Sequence, residues 1–120
     1  MDKDNKLREL RREDYIWIIF ICLSILSIVA DSYQRNYIIY NSKFDGEVAN
    51  KIYILILVIT ILIYLYFFRR NYRAYINSDF MNSDIYEIKL FGSILFIVGG
   101  LCLLYFQVNS EGNFVGGPII

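Results

Sequence analysis

The chain has 120 residues, 57% of them hydrophobic, and its 12 basic and 12 acidic residues give a formal net charge of zero. Without a basic excess it lacks the attraction on which nucleic-acid binding depends, so we expect no nucleic-acid partner. There is no histidine, and the two cysteines and the carboxylates are not placed at metal-ligand spacing. No phosphate-binding or nucleophile motif occurs either. Composition and motifs therefore predict no metal and no cofactor.

Three long apolar segments occupy residues 15–34, 52–68 and 88–108. About 20 helical residues cross a hydrocarbon core of roughly 30 Å. The only charges inside the segments are Asp31 in the first and Lys89 in the third. Buried helices of soluble proteins are usually shorter, and buried strands need about half this length. We therefore predict an all-α integral membrane protein with three transmembrane helices in an up-down-up bundle.

The basic residues are distributed unevenly among the segments outside these spans. Alternate segments lie on the same side of a membrane, which groups 1–14 with 69–87 and 35–51 with 109–120. The first group, counted with Lys89, holds nine basic residues and the second holds three. By the positive-inside rule we expect the N-terminal segment and the 69–87 loop in the cytoplasm, and the 35–51 loop and the C-terminal tail outside. The predicted location is the cell membrane.

A cleaved first segment is the alternative to three spans. Arg11 and Arg12, the apolar run, and the small residues among Ser27–Ala30 are similar to a secretory signal with its cleavage site. The apolar run is long for such a signal. Cleavage sites carry small residues, and the larger Ile28 would stand two residues before the cut. Cleavage would leave two spans.

Local signals predict where helices begin and end. The charged N-terminal segment is expected to form a short helix that runs into the first span. Asn41–Ser42 and Asp45–Gly46 are turn signals. With no Pro or Gly before Asn77, the second helix is expected to continue to that residue. Residues 77–79 then read as a helix exit and residues 82–84 as a helix entry, with Asp84 as the capping residue.

The third span carries four small residues at heptad spacing, which predicts one helix-packing face. Helices in lipid associate by close packing at small side chains rather than by the hydrophobic effect. The expected partner is a span of the same molecule, and a second copy or another membrane protein is the alternative. The four residues are Gly92, Ser93, Gly99 and Gly100.

The first span carries Ser24, Ser27 and Asp31 at i, i+3 and i+7, which again defines one face. We expect this face to pack against the small residues of the third span, with Thr60 nearby. An acid inside a span is costly and is a candidate ion or proton site. The alternative is an acid near the interface that is solvated, or paired with Gln107 or Arg35.

Three arginines directly follow the second span: Arg69, Arg70 and Arg73. They are candidate contacts for anionic lipid headgroups at the cytoplasmic surface. The alternative is that they serve only as a topology signal.

The strings at residues 15–20, 88–93 and 101–107 (YIWIIF, IKLFGS and LCLLYFQ) resemble those of small, uncharacterised three-span membrane proteins of low-GC Gram-positive bacteria. The resemblance runs over most of the chain. It implies a bacterial inner-membrane protein, and it implies no activity and no functional residue.

Three function classes fit these features. The first is an accessory subunit that packs against itself or a larger membrane partner, which the small-residue face favours. The second is an oligomeric transport or pore-forming element, with Ser24, Ser27 and Asp31 lining a shared lumen. The third is a membrane-embedded immunity or holin-like protein. An enzyme is not expected, since acid–base catalysis needs tuned groups in a cleft.

Overall fold

The computed structural model describes residues 2–79, 81 and 83–109, and every regular element among them is an α-helix. The helices are α1 (Asp2–Tyr40), α2 (Lys43–Ile76) and α3 (Ser83–Asn109). Each contains a window that is long and apolar enough to cross a membrane. The all-helical prediction with three membrane-length helices is therefore confirmed. The C-terminal tail beyond Asn109 lies outside the described residues.

The helices extend well past the apolar segments. α1 includes the whole described part of the charged N-terminal segment as one continuous helix of 39 residues, as expected. Most of the 35–51 and 69–87 segments, predicted as loops, is helical as well, because α1, α2 and α3 continue into them. Only residues 41–42 separate α1 from α2. Helices joined by so short a connection must be neighbours.

A left-handed residue and an N-cap make the turn between α1 and α2. Asn41 has φ = 54°, a conformation that asparagine tolerates at the end of a helix. Ser42 then caps α2 by accepting a hydrogen bond from the Asp45 backbone N–H at 3.4 Å. The turn signal at Asn41–Ser42 is confirmed, whereas the one at Asp45–Gly46 is wrong. These two residues lie in the first turn of α2, where an acid favours the positive end of the helix dipole.

α2 ends at Ile76 with Asn77 as its C-cap, as the sequence predicts. The Asn77 backbone N–H donates to the Arg73 carbonyl, and the Ser78 hydroxyl donates to the Tyr75 carbonyl at 2.6 Å. α3 begins at Ser83, so Asp84 lies in its first turn rather than at the capping position. Asn82 of the predicted helix entry is outside the described residues.

α2 lies between the other two helices. α1 and α2 run in opposite directions. Glu13, early in α1, approaches Arg70, late in α2, whereas Asp31, late in α1, approaches Tyr53, early in α2. Small buried residues bring α1 and α2 close together, because Ala30 and Ala49 are both fully buried in one cluster with Tyr53. On its other side α2 packs Ile61 and Tyr64 against Gly100 of α3.

The predicted meeting of the first and third spans is wrong. No Cα atom of α1 lies within 8 Å of one of α3 in the described parts of these helices. The Ser24 face therefore does not reach Gly99, and Asp31 does not meet the end of α3. The reason is that α2 buries residues on two sides, so it separates its neighbours. The three helices form a flat assembly with extents of 59 × 25 × 14 Å.

Gly46 supplies a test of the contact between α1 and α2. A Cβ atom at this position would lie 2.6 Å from Cδ2 of Tyr37. Overpacking of this kind costs about 1–3 kcal/mol, and exchanging a helical glycine for alanine recovers about 1 kcal/mol. We expect Gly46→Ala to lower the free energy of unfolding in mixed detergent micelles by about 1 kcal/mol.

Gly99→Ala is the matched control, because a Cβ atom there would meet nothing within 4 Å. It should leave the free energy of unfolding unchanged or raise it by up to about 1 kcal/mol. Equal stability of the two variants would contradict the described packing of Tyr37 on Gly46.

Candidate functional site

Asp31 is a hydrogen-bond acceptor at the α1–α2 interface. Its carboxylate accepts from the hydroxyl of Tyr53, which is fully buried and also donates to Gln34 Oε1 at 3.3 Å. The sequence offered Arg35 or Gln107 as the partner, and the structure gives it Tyr53 instead. In the part of the chain that the structure describes, no group of three or more His, Cys, Asp or Glu side chains could hold a metal ion. A role for Asp31 as an ion or proton site stays a prediction.

One turn before Tyr53, a second polar contact joins α2 to α3. Gln107 is 2% exposed and donates to Asn50 Oδ1 at 2.7 Å. Asn50 and Tyr53 are three residues apart, so they are separated by about 4.5 Å along the axis of α2 and lie within one helical turn. Two sets of contacts lie at this end of α2, one to α1 and one to α3. We call their five residues the Tyr53 layer: Asp31, Gln34, Asn50, Tyr53 and Gln107.

A second polar layer crosses the far end of α2. Asn71 donates from Nδ2 to the Ser93 hydroxyl, which in turn donates to the Lys89 carbonyl at 3.1 Å. The adjacent Arg70 forms an ion pair with Glu13 of α1, with 3.8 Å between Nη1 and Oε2. We call Glu13, Arg70, Asn71 and Ser93 the Arg70 layer. Like the first layer, it joins all three helices.

The two layers bracket an apolar middle. Tyr53 and Arg70 are 17 residues apart on α2, which corresponds to about 26 Å of helix. Two hydroxyl groups in between donate within their own helices. Thr60 donates to the Ile56 carbonyl at 2.7 Å, and Ser24 donates to the Phe20 carbonyl at 2.9 Å. Ser24 is exposed, and only Ser27 of the two predicted packing serines is partly buried.

The predicted small-residue face of α3 is divided between two environments. Ser93 and Gly100 are buried against α2, and a Cβ atom on Gly100 would lie 3.1 Å from Cγ1 of Ile61. A Cβ atom on Gly92 or Gly99 would meet nothing within 4 Å. Half of the predicted face thus packs inside the molecule, while the other half is open.

The open glycines border two depressions. Gly99 lines a notch of about 210 Å³ whose floor includes Thr60 and Leu57 of α2. Gly92 lines a groove of about 590 Å³ between α1 and α3. Tyr64 and Phe96, whose ring centroids are 5.3 Å apart, line both and lie where the two meet.

The three arginines that are candidate contacts for lipid headgroups lie around one depression. Arg69, Arg70 and Arg73 line a depression of about 200 Å³ with Glu9, Arg12 and Tyr66. Arg70 also lines the end of the larger groove, which Lys89 borders as well. The sequence missed Arg12 as a member, because only the packing of α1 on α2 brings it to this place.

Sequence reasoning also missed Asn50, Tyr53 and Asn71. The two asparagines lie just outside the apolar segment, and Tyr53 at its start reads as one more aromatic residue near an interface. The signal that would have found them is their position on α2, where a pair of polar side chains lies near each end of the apolar run.

Comparison with known proteins adds no assignment to these residues. The chain matches no protein-family model, no curated protein and no solved structure. No known protein therefore suggests a role for the two layers, the notch or the groove.

Tyr53→Phe tests the first layer. The change removes the hydroxyl that donates to Asp31 and Gln34 and leaves a partly buried acid without this donor. Since hydrogen bonds between membrane helices contribute up to about 2 kcal/mol, we expect the free energy of unfolding in mixed micelles to fall by about 1–2 kcal/mol.

Tyr40→Phe is the control, because Tyr40 is 74% exposed at the end of α1. Its effect should stay within about 0.5 kcal/mol. If Tyr53→Phe were as mild, the Tyr53 layer would not hold α1 against α2.

Proposed function

We propose that the protein is a multi-pass protein of a bacterial cell membrane whose three helices cross the bilayer up, down and up. Three helices of membrane length support this proposal. So does the separation of the two polar layers by about 26 Å of helix, close to the thickness of a hydrocarbon core. The reversed order of contacts between neighbouring helices fits alternating directions across the membrane.

The orientation follows from charge. The N-terminus and the connection between α2 and α3 lie on the side with nine basic residues, which we assign to the cytoplasm. The Arg70 layer is then at the inner interface and the Tyr53 layer at the outer one. The turn at Asn41 and the C-terminal tail are outside.

We infer that the protein is an accessory subunit that packs against a second copy or a larger membrane protein. The observation that carries this inference is the open notch at Gly99. A glycine in the middle of a membrane-length helix, with nothing beside it, lets a neighbouring helix approach closely. Ser93 and Gly100, on the same face, show that α3 already uses small residues for close packing against α2.

The role of Asp31 favours this function over a pore. Its carboxylate is held by Tyr53 within the α1–α2 interface. Ser27 is partly buried, and Ser24, although exposed, donates to its own helix, so the polar stripe proposed for a lumen is not open along its whole length.

Gly99→Leu tests the accessory role. In the isolated fold a Cβ atom at residue 99 meets nothing within 4 Å and faces a notch of about 210 Å³, whereas a helix docked at the notch would occupy that space. We expect the wild-type protein, extracted gently into lipid nanodiscs from its native cells, to have the mass of a complex. The variant should lose the partner mass and keep its helical content by circular dichroism.

Leu101→Phe is the control for added bulk, since residue 101 points about 200° around α3 from residue 99 and is 51% exposed. It should keep the complex. A wild-type monomer in the nanodisc, or a Gly99→Leu variant with the full complex mass, would overturn the accessory role.

Cysteine labelling tests the orientation independently. In a protein whose Cys22 and Cys102 are replaced by alanine, we expect Asn36→Cys to react in intact cells with a maleimide that cannot cross the membrane. Asp79→Cys should react only after the cells are permeabilised. Reaction of Asp79→Cys alone in intact cells would place the N-terminus outside.

A further inference from the structure

The groove between α1 and α3 exists because these helices do not touch. α2 forms its floor with Tyr64 and Phe67, and Trp17 and Phe20 of α1 line it as well. On the α3 side, Gly92 leaves the space open, since a Cβ atom there would meet nothing within 4 Å. The result is a groove of about 590 Å³ that is partly open to the surroundings and whose lining includes five aromatic side chains.

Charged groups are confined to one end of this groove. Glu13, Arg70 and Lys89 border it there, together with the polar Asn71 and Ser93. The neighbouring depression continues from Arg70 and adds further arginines. Taken together, the two sites have five basic and two acidic side chains, a net charge of +3: Arg12, Arg69, Arg70, Arg73 and Lys89 against Glu9 and Glu13.

Arg70 connects the apolar and the charged parts. Its guanidinium lies 5.7 Å from the centroid of the Phe67 ring. Nη1 is buried and has no hydrogen-bond partner in the described part of the chain, and its ion pair with Glu13 is long at 3.8 Å. A buried guanidinium N–H without an acceptor is unfavourable, and an anionic oxygen is its best acceptor.

We propose that this groove is a binding site for one anionic phospholipid. The phosphate lies among Arg70, Lys89 and the adjoining arginines, and one acyl chain lies along the aromatic lining past Gly92. Charge complementarity selects the occupant, because a net charge of +3 at the polar end favours an anionic headgroup over a zwitterionic one. A helix of a partner protein fits the polar end less well, since burying these charges without an anion is costly.

The protein contains its own reporter for this site. Trp17 is the only tryptophan of the chain, and it lines the groove. Phospholipids with brominated acyl chains quench tryptophan fluorescence on contact. The full-length protein is reconstituted in phosphatidylcholine nanodiscs in which a small fraction of the lipid is brominated phosphatidylglycerol or, in parallel, brominated phosphatidylcholine.

We expect brominated phosphatidylglycerol to quench Trp17 more strongly than brominated phosphatidylcholine at equal fraction. Each basic residue near a membrane surface contributes about fivefold to the association of an anionic lipid. Arg70→Gln and Lys89→Gln should each reduce the preference for phosphatidylglycerol by about this factor. Gly92→Leu should also abolish the preference, because its side chain fills the path of the acyl chain without changing any charge.

Arg8→Gln is the matched control, since it removes one exposed basic residue of the N-terminal segment outside both sites. It should leave the preference unchanged. Equal quenching of the wild type by both lipids would overturn the proposal, and so would an Arg8→Gln effect as large as that of Arg70→Gln. If Arg70→Gln does not fold, as judged by circular dichroism, Lys89→Gln and Gly92→Leu decide the question.

Discussion

The need to satisfy polar side chains within the protein governs this structure. In the membrane location that we propose, a polar group in contact with hydrocarbon has no water to bond, so it must find its partner on its own helix or on a neighbouring one. α2 meets this constraint twice. Tyr53 and Asn50 bind α1 and α3 at one end, and Arg70 and Asn71 do so at the other. The apolar middle between these levels needs only close packing, which the buried Leu23 and Ile56 provide between α1 and α2.

Hydropathy and local helix signals were sufficient for the number and type of the helices and for the end of α2, but not for the extension of α1 and α2 into the segment predicted as the 35–51 loop. Long apolar runs with few charges have few alternatives, and Asn41, Ser42 and Asn77 end or cap helices for reasons that act within a few residues. The arrangement of the helices was not predictable in the same way. A connection of two residues makes α1 and α2 neighbours, but nothing local decides whether α3 returns to α1 or packs on the far side of α2. The mistaken pairing of the first and third spans came from matching two small-residue faces without considering that α2 has two buried sides.

The candidate sites were only partly visible in the sequence for a related reason. Asp31 and the arginines stood out, because charges near or inside apolar runs are rare. Their partners did not: Tyr53 looked like one more aromatic residue of an interfacial belt, and Arg12 lies far from Arg69 along the chain. The groove could not be foreseen at all. It is produced by the distance between two helices, and Gly92 gives no sign in the sequence that it lines an open space rather than a packed interface.

The separation of α1 from α3 has an energetic consequence. Each outer helix packs on one side of α2. The molecule therefore consists of two helical hairpins, α1–α2 and α2–α3, that share α2. Substitutions in the apolar middle of one interface have no common partner with those in the other, and their effects on unfolding are therefore additive. The two interfaces come together at the two polar layers and along the groove that all three helices line. Any coupling between the outer helices therefore passes through α2, which is the only helix that packs on both of the others in the described part of the chain.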